Sequence, residues 1–154
     1  MTAAGINERN WRMLQTLNPA CRERVDKMIG RLKALGYRPV IWSGLRTARE
    51  QAGLYQKGRK CILGKWRRWP PAGSTVTDKD GYARKSNHQE RYPGSGGFAA
   101  DVVPCKRRGQ TDEYEPSWKW PPHVWADWKT AAMEGGLAWG GDWKLGDKCH
   151  VEMA

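Results

Sequence analysis

Two short segments, far apart in the chain, have to meet if their side chains act together. Residues 86–104 read SNHQERYPGSGGFAADVVP, and residues 146–153 read GDKCHVEM. They hold His88 and His150, two of the three histidines in the chain, with Asp101 and Asp147 beside them. The chain is therefore expected to fold with the two segments at one place.

Imidazoles and a carboxylate in these segments predict a catalytic metal site. Two imidazoles and one carboxylate form a ligand set that leaves Zn²⁺ an open fourth position for water. Such ligands hold the ion, yet leave it enough positive charge to lower the pKa of that water to about 7. His88, Asp101 and His150 are the predicted ligands. Asp147, three residues before His150, is the nearest carboxylate that can act as the base.

Helical periodicity and capping signals predict four helices. Trp11, Leu14 and Leu17 share one side of a helix over residues 8–17. Asn18 as a cap and Pro19 as the first helical residue begin a second helix that runs up to Gly36. A capping box predicts the third helix, and the fourth spans residues 123–134.

Short β-branched runs predict strands at 38–42, 75–77, 98–103 and 148–153. The predicted fold class is α+β, with helices packed on a small, mainly antiparallel sheet whose edge presents the metal. The length of 154 residues predicts a single domain over 1–154. In the last strand, Glu152 lies on the same face as His150, about 7 Å along, and is a rival for the base. Cys149 is expected on the opposite face.

The chain is strongly basic, with a formal net charge of +11, and it contains ten tryptophans. Such a charge attracts nucleic acid, acidic lipid headgroups or bacterial wall polymers, or it only keeps the protein soluble. Residues 58–72, GRKCILGKWRRWPPA, predict an exposed loop in which cations alternate with Trp66 and Trp69. No nucleic-acid reader motif accompanies the loop, so no nucleic-acid partner is expected. Most tryptophans are expected in the core.

Four widely spaced cysteines lack the close pairing of zinc knuckles, so reduced thiols are expected. A disulfide is the alternative if the protein works outside the cytoplasm. No apolar run approaches the length of a membrane span, and the first twenty residues contain no apolar core of an export signal. We expect no membrane insertion, and a monomer.

The order of the motifs resembles a family of peptidoglycan-cleaving metallopeptidases. The chain is similar to the D-Ala-D-Ala carboxypeptidases and L-alanyl-D-glutamate endopeptidases, phage endolysins included. The motifs that carry the similarity are, in order, SGLRT with a Gln five residues after its Arg, VT, SNH, GFAAD and GLAWGGDWKLGDKCHVE. The resemblance runs from about Leu17 to Met153. The family's first motif is compact, S-x-H-x-x-G-x-A-x-D, whereas here QERYPGSG follows His88. This insertion is predicted to bulge outwards as a loop.

The resemblance implies a role for each site residue. Arg46, at a strand-to-helix turn, is expected to grip a substrate carboxylate or an oxyanion with two parallel hydrogen bonds. Gln51, on the helix that follows, is expected to orient the substrate. Ser86 either hydrogen-bonds the substrate or positions the His88 loop. Asp147 stands at the position of the family's acidic catalytic residue, and Glu152 is then a partner of the ligands.

The implied reaction is zinc-dependent hydrolysis of an amide bond in the stem peptides of bacterial peptidoglycan. L-alanyl-D-glutamate cleavage is the first expectation, because SGLRT and WGGDWK are most similar to the endolysin-like branch. The alternatives are D-Ala-D-Ala carboxypeptidase activity, a non-catalytic wall-binding module and a nucleic-acid-binding protein. A phage enzyme of this kind is expected in the host cytoplasm without a signal peptide, and acts on periplasmic or cell-wall peptidoglycan after release.

Overall fold

A computed structural model describes residues 1–68, 75–144 and 146–153 of the chain. Within these residues, four helices and seven strands follow one another in an α+β arrangement. In chain order they are α1 (Ala3–Gln15), α2 (Pro19–Ala34), β1 (Pro39–Ser43), α3 (Ala48–Gln56), β2 (Arg59–Ile62), β3 (Lys65–Arg68), β4 (Ala99–Arg107), β5 (Tyr114–Pro116), α4 (Pro122–Glu134), β6 (Ala138–Trp139) and β7 (His150–Glu152). A short 3-10 helix, Gly140–Asp142, precedes the loop that leads to β7.

The main sheet has the strand order β1-β4-β7-β6, and β5 pairs with β4 beyond this path. Each of its pairings is antiparallel, so the predicted fold class is confirmed. The nine-residue strand β4 lies inside the sheet between β1 and β7. Strands β2 and β3 form a separate two-stranded sheet.

Apolar residues of the sheet and of three helices form one hydrophobic core. Its members include Val25, Met28 and Leu32 of α2, Val40 and Ile41 of β1, Val102 and Val103 of β4, and Trp128 of α4. The indole of Trp128 donates to the backbone oxygen of Val102 at 2.9 Å, which satisfies its one polar atom inside the core. α4 is thereby fixed against the central strand.

The two capping predictions are confirmed. The side chain of Asn18 accepts from the backbone N–H of Ala20 at the start of α2. Thr47 and Glu50 make both hydrogen bonds of a capping box at the start of α3. α3 therefore begins just after Arg46, at the turn where the sequence placed it.

α1 begins earlier than predicted, and one residue of its predicted apolar side is exposed. Thr2 caps the helix, which starts at Ala3 rather than at residue 8. Of the three apolar residues predicted to share one side, Leu14 and Leu17 are buried, whereas Trp11 is 64 % exposed. Asn10 is buried in its place: it donates to the Pro39 backbone oxygen and accepts from the Ile41 N–H. Two polar groups of β1 thus find their partner on a helix.

Other expectations about strands and loops need correction. Residues 75–77 form no strand. Within the predicted loop 58–72 the chain forms the β2–β3 hairpin, while residues 69–72 of that loop lie outside the described residues. Strand β5 lies in the stretch 106–122 that lacks any strong strand pattern. None of the helices in the described part of the chain is long and apolar enough to cross a membrane.

The expectation that most tryptophans are core residues is also wrong. Trp69 lies outside the described residues. Of the others, Trp125 and Trp128 are buried, whereas five are exposed: Trp11, Trp42, Trp66, Trp118 and Trp143. Exposed aromatic rings on a basic protein offer stacking surfaces to a partner.

Candidate metal centre

The pairing of β4 with β7 brings the two sequence segments together. Asp101 of β4 lies directly opposite His150 of β7, and on its other side it pairs with Ser43 of β1. The site therefore lies at one end of the inner strands of the sheet. Directly opposite residues of neighbouring strands place their side chains on the same face, so the carboxylate and the imidazole meet.

His88 reaches the same place from the loop that precedes β4. Its backbone oxygen accepts from the Arg46 N–H at 2.8 Å, and its N–H donates to Ser86 Oγ at 3.3 Å. The loop closes where the Phe98 N–H donates to the Asn87 oxygen at 2.8 Å. These bonds fix both ends of the loop, although it is longer than the compact motif.

Residues 91–94 of the insertion are exposed, as expected for an outward loop, whereas its end packs against the body of the protein. The side chain of Asn18 donates to the Ser95 oxygen, and its backbone N–H donates to the Gly97 oxygen. Gly96 has a φ of +71°, and a Cβ there would lie 2.6 Å from the Asn18 nitrogen. A glycine is required at this contact. The junction of α1 and α2 thus holds the loop in place.

Three ligand atoms form a nearly equilateral triangle. His88 Nε2, His150 Nδ1 and Asp101 Oδ1 are each 3.2 Å from the other two. Ligand atoms at about 2.0–2.1 Å from a tetrahedral zinc ion are about 3.3–3.4 Å apart. The triangle therefore fits three corners of such a tetrahedron, and among the described residues these three form the candidate metal cluster.

The outer nitrogen of each imidazole is held by a hydrogen-bond acceptor. His88 Nδ1 is 2.7 Å from the Gly44 oxygen, and His150 Nε2 is 2.9 Å from Glu152 Oε2. Carbonyl and carboxylate oxygens only accept hydrogen bonds, so both outer nitrogens carry a proton. When the rings are neutral, the nitrogens that face Asp101 therefore carry a lone pair. Such acceptors are the usual partners of metal-bound histidines.

The charges at the site favour a cation at its centre. Burial alone would raise the pKa of Asp101, but hydrogen bonds to His150 and His88 and the charge of Arg46 hold it well below its usual range. Burial alone would lower the pKa of His150, but its bonds to Asp101 and Glu152 raise it to about 9. The carboxylate is thus ionised at neutral pH and attracts positive charge between the two rings.

Arg46 holds the outer oxygen of the Asp101 carboxylate. Its guanidinium forms an ion pair with Asp101 Oδ2, donates to Ser43 Oγ at 2.9 Å, and donates to Gln51 Oε1 at 3.4 Å. Three of its five N–H groups are used in these bonds. Arg46 therefore fixes the orientation of Asp101, a contact that the sequence did not predict, and keeps donors for another partner.

Gln51 and Ser86 support the site from inside the protein. Gln51 is 1 % exposed, and its amide also donates to Thr77 Oγ1 and to the Lys79 oxygen. A direct contact with a substrate does not fit this burial, so its predicted role changes to holding Arg46. Of the two roles left open for Ser86, its hydrogen bond to the His88 N–H favours positioning of the loop.

Asp147 and Glu152 are two further carboxylates that interact with His150. Glu152 accepts hydrogen bonds from His150 and from Asn87. Burial alone would raise the pKa of Glu152, but these hydrogen bonds outweigh it and lower the pKa. Asp147 stays accessible to solvent at the rim of the site. Partial desolvation and the charge of Asp101 raise the pKa of Asp147. A carboxyl with a raised pKa and access to solvent is suited to accept and release a proton.

Further residues at the site were not found from the sequence. The ring of Trp143 lies 4.8 Å from the ring of His150, and its position within GGDW is the one signal that points to it. Gly44 contributes a backbone oxygen, for which no side-chain signal exists.

A cavity of about 470 Å³ adjoins the site and is lined by Arg46, Tyr82, Lys85 and their neighbours. His123 is exposed at the start of α4 and takes no part in the site.

Comparison with known proteins points to one kind of enzyme. No protein-family model matches the sequence. The chain is 29 % identical over 141 residues to the peptidoglycan L-alanyl-D-glutamate endopeptidase CwlK of Bacillus subtilis (strain 168), an alignment that covers 89 % of this chain and 73 % of the relative. The chain is thus similar, over most of its length, to a peptidoglycan endopeptidase.

A solved structure shares the fold of this chain. The crystal structure of the Serratia marcescens L-Ala D-Glu endopeptidase ChiX matches with a TM-score of 0.57. The match covers 95 % of this chain and 86 % of the other, at 21 % sequence identity. The arrangement of helices around the antiparallel sheet is therefore a known endopeptidase fold.

Proposed function

We propose that this protein hydrolyses the L-alanyl-D-glutamate bond in the stem peptides of peptidoglycan. The observation that carries the proposal is the triangle of His88 Nε2, His150 Nδ1 and Asp101 Oδ1, with Asp147 at its rim. The relationship to CwlK, an L-alanyl-D-glutamate endopeptidase, supports the choice of bond. We also propose that residues 1–154 act as one peptidase domain.

The residues of the triangle fit zinc. Two neutral imidazoles and one carboxylate are the donor set of a catalytic zinc site, and the fixed outer nitrogens of both rings suit this role. A zinc ion held there supplies Lewis acidity, which polarises a carbonyl oxygen and lowers the pKa of water at the open position. Arg46 keeps the Asp101 carboxylate in position for this binding.

Asp147 moves the proton in the proposed reaction. One of its carboxylate oxygens accepts a proton from the attacking water, and the same oxygen then donates it to the leaving amide nitrogen. Its raised pKa favours the second of these steps. The N–H groups of Arg46 that remain outside its three bonds donate to the carbonyl oxygen or to a carboxylate of the stem peptide.

Mass spectrometry of muropeptide products tests the metal, the reaction and the bond together. Purified muropeptides are incubated with the protein as isolated, with a chelator, and after zinc is restored. We expect fragments that begin with D-glutamate, lost with the chelator and recovered with zinc. Release of a terminal D-alanine instead would identify a carboxypeptidase, and intact muropeptides in all three reactions would refute the proposed hydrolysis.

The endolysin role is a further part of the proposal. The motifs SGLRT and WGGDWK, which are similar to the endolysin-like branch, support it. Co-expression with a membrane pore-forming protein in a bacterial host tests it, because an endolysin then lyses the cell. A culture whose turbidity does not fall while the active enzyme accumulates would argue against this role.

A further inference from the structure

The hairpin β2–β3 carries an unusual concentration of positive charge. Residues 57–68, here called the cationic hairpin, contain six lysines and arginines and no acidic residue. The two strands form their own sheet apart from the main one, and nearly all of their residues are exposed. The described core of the protein therefore does not depend on these side chains.

Arg59 anchors the cationic hairpin to the body of the protein. Its side chain is 4 % exposed and donates to the Tyr55 oxygen at 2.5 Å and to the Thr77 oxygen at 2.9 Å. The guanidinium also lies 3.9 Å from the centre of the Tyr55 ring and pairs with Asp78 at 2.6 Å. The base of the hairpin is thus rigidly held, while its outer part projects into solvent.

The register of the hairpin collects cations on one face. Lys60 lies opposite Arg67, and Ile62 lies opposite Lys65, so all four side chains share a face. Like charges directly opposite one another destabilise a strand pair. Within the described residues, Lys65 and Arg67 make no ion pair. Lys65 and Arg67 therefore present two cations on this face with which an anionic partner can pair.

The opposite face and the tip offer apolar contact surface. Trp66 is 40 % exposed on the face of the hairpin that also carries Arg59 and Arg68. Leu63, at the tip, is 98 % exposed with a φ of +50°, a conformation that a leucine rarely adopts. A polymer that carries both anionic groups and sugar faces can contact the two faces of the hairpin together.

The base of the hairpin is connected to the candidate metal centre. Thr77 accepts from Arg59 through its backbone oxygen and from Gln51 through its hydroxyl. Gln51 in turn accepts from Arg46, which holds Asp101. A polymer that enters the cavity beside Arg46 would therefore have the cationic hairpin as a neighbouring surface.

We propose that the cationic hairpin binds the peptidoglycan polymer next to the bond that is cut, through carboxylates of neighbouring stem peptides and through the sugar chain. This inference rests on the proposed function, because it identifies the partner as the substrate polymer. Lys65 and Arg67 pair with carboxylates, and Trp66 stacks on a sugar face. The connection of the hairpin to the metal centre favours the substrate polymer over a lipid surface.

Binding to purified sacculi tests the proposal without any need for turnover. The double variant Lys65→Gln/Arg67→Gln is compared by pelleting, in the presence of a chelator, with Lys27→Gln/Lys119→Gln, which removes the same charge from exposed positions elsewhere. We expect about ten-fold weaker binding for the hairpin variant and less than about two-fold for the control. High salt removes the difference.

Three further measurements test whether the weaker binding comes from lost contacts with carboxylates of the sacculus. Sacculi whose carboxylates are blocked as amides are expected to bind wild type and hairpin variant equally weakly. Cleavage of a small soluble muropeptide is expected to stay within about two-fold of wild type for both variants, since neither touches the metal centre. The single variant Lys65→Gln, opposite the uncharged Ile62, is expected to keep the melting temperature and to lose about three-fold in sacculus binding.

Equal weakening of the hairpin and control variants would overturn the proposal. So would full binding to the amidated sacculi, or a loss seen with anionic phospholipid vesicles and not with sacculi. Failure of the proposed hydrolysis is a separate result, because it shows in the products of the soluble muropeptide and leaves pelleting unaffected.

Discussion

Replacing Glu152 by Gln is expected to weaken zinc binding while the fold persists. Glu152 Oε2 accepts a hydrogen bond from His150 Nε2–H at 2.9 Å, and His150 Nδ1 therefore faces Asp101 without a proton. A glutamine can donate its N–H to Nε2 instead, and the ring proton then moves to Nδ1, where it blocks the ligand position. Loss of such a partner costs about 10- to 100-fold in metal affinity, or about 1.4–2.7 kcal/mol.

The ring of His150 is expected to stay in place in this variant. Trp143 packs against it at 4.8 Å, and the β4–β7 pairing fixes its backbone opposite Asp101. The effect should therefore appear in zinc affinity and not as a loss of folding. His88, whose outer nitrogen bonds to the backbone oxygen of Gly44, is unaffected by the change.

Competition with a chromophoric chelator at neutral pH measures the effect. Glu115→Gln, which removes the same charge from an exposed position on β5, is the matched control and should bind zinc as wild type does. An unchanged zinc affinity for Glu152→Gln would refute the role given to Glu152. An equal loss in both variants would show that only the net charge matters.

Other predictions concern the base, the ligands, the buried amide and the thiols. Asp147→Asn should keep zinc in metal analysis but lower turnover by roughly 10²-fold or more, whereas His150→Ala should lose both; equal zinc loss in the two would contradict these roles. Asn10→Ala leaves two buried backbone groups without partners and should cost about 2–4 kcal/mol in denaturant unfolding, whereas the exposed Asn7→Ala should cost little. A thiol reagent at about pH 8 should label only Cys61, because burial raises the pKa of the other three thiols to about 11 or 12. The reactive thiolate forms only as the pH rises through those values. Rapid labelling of all four thiols in the native protein would contradict this prediction.

Local patterns in the sequence determined much of the fold and identified the candidate ligands. Asn18 with Pro19, and Thr47 with Glu50, fixed two helix starts because capping depends on hydrogen bonds between residues that are neighbours in the chain. His88, Asp101 and His150 were identified from residue type and motif order alone. These features need no knowledge of what packs against them.

Only the tertiary structure decided which groups support the ligands and which faces are exposed. The contacts of Arg46 with Asp101 and of Gly44 with His88 join residues more than forty positions apart, and a backbone oxygen has no signal in the sequence. Helical spacing puts Trp11 on one side with Leu14 and Leu17, but Trp11 is exposed, and the amide of the buried Asn10 satisfies two backbone groups of β1. The physical reason is that burial and hydrogen-bond partners depend on which surfaces meet, and distant parts of the chain supply those surfaces.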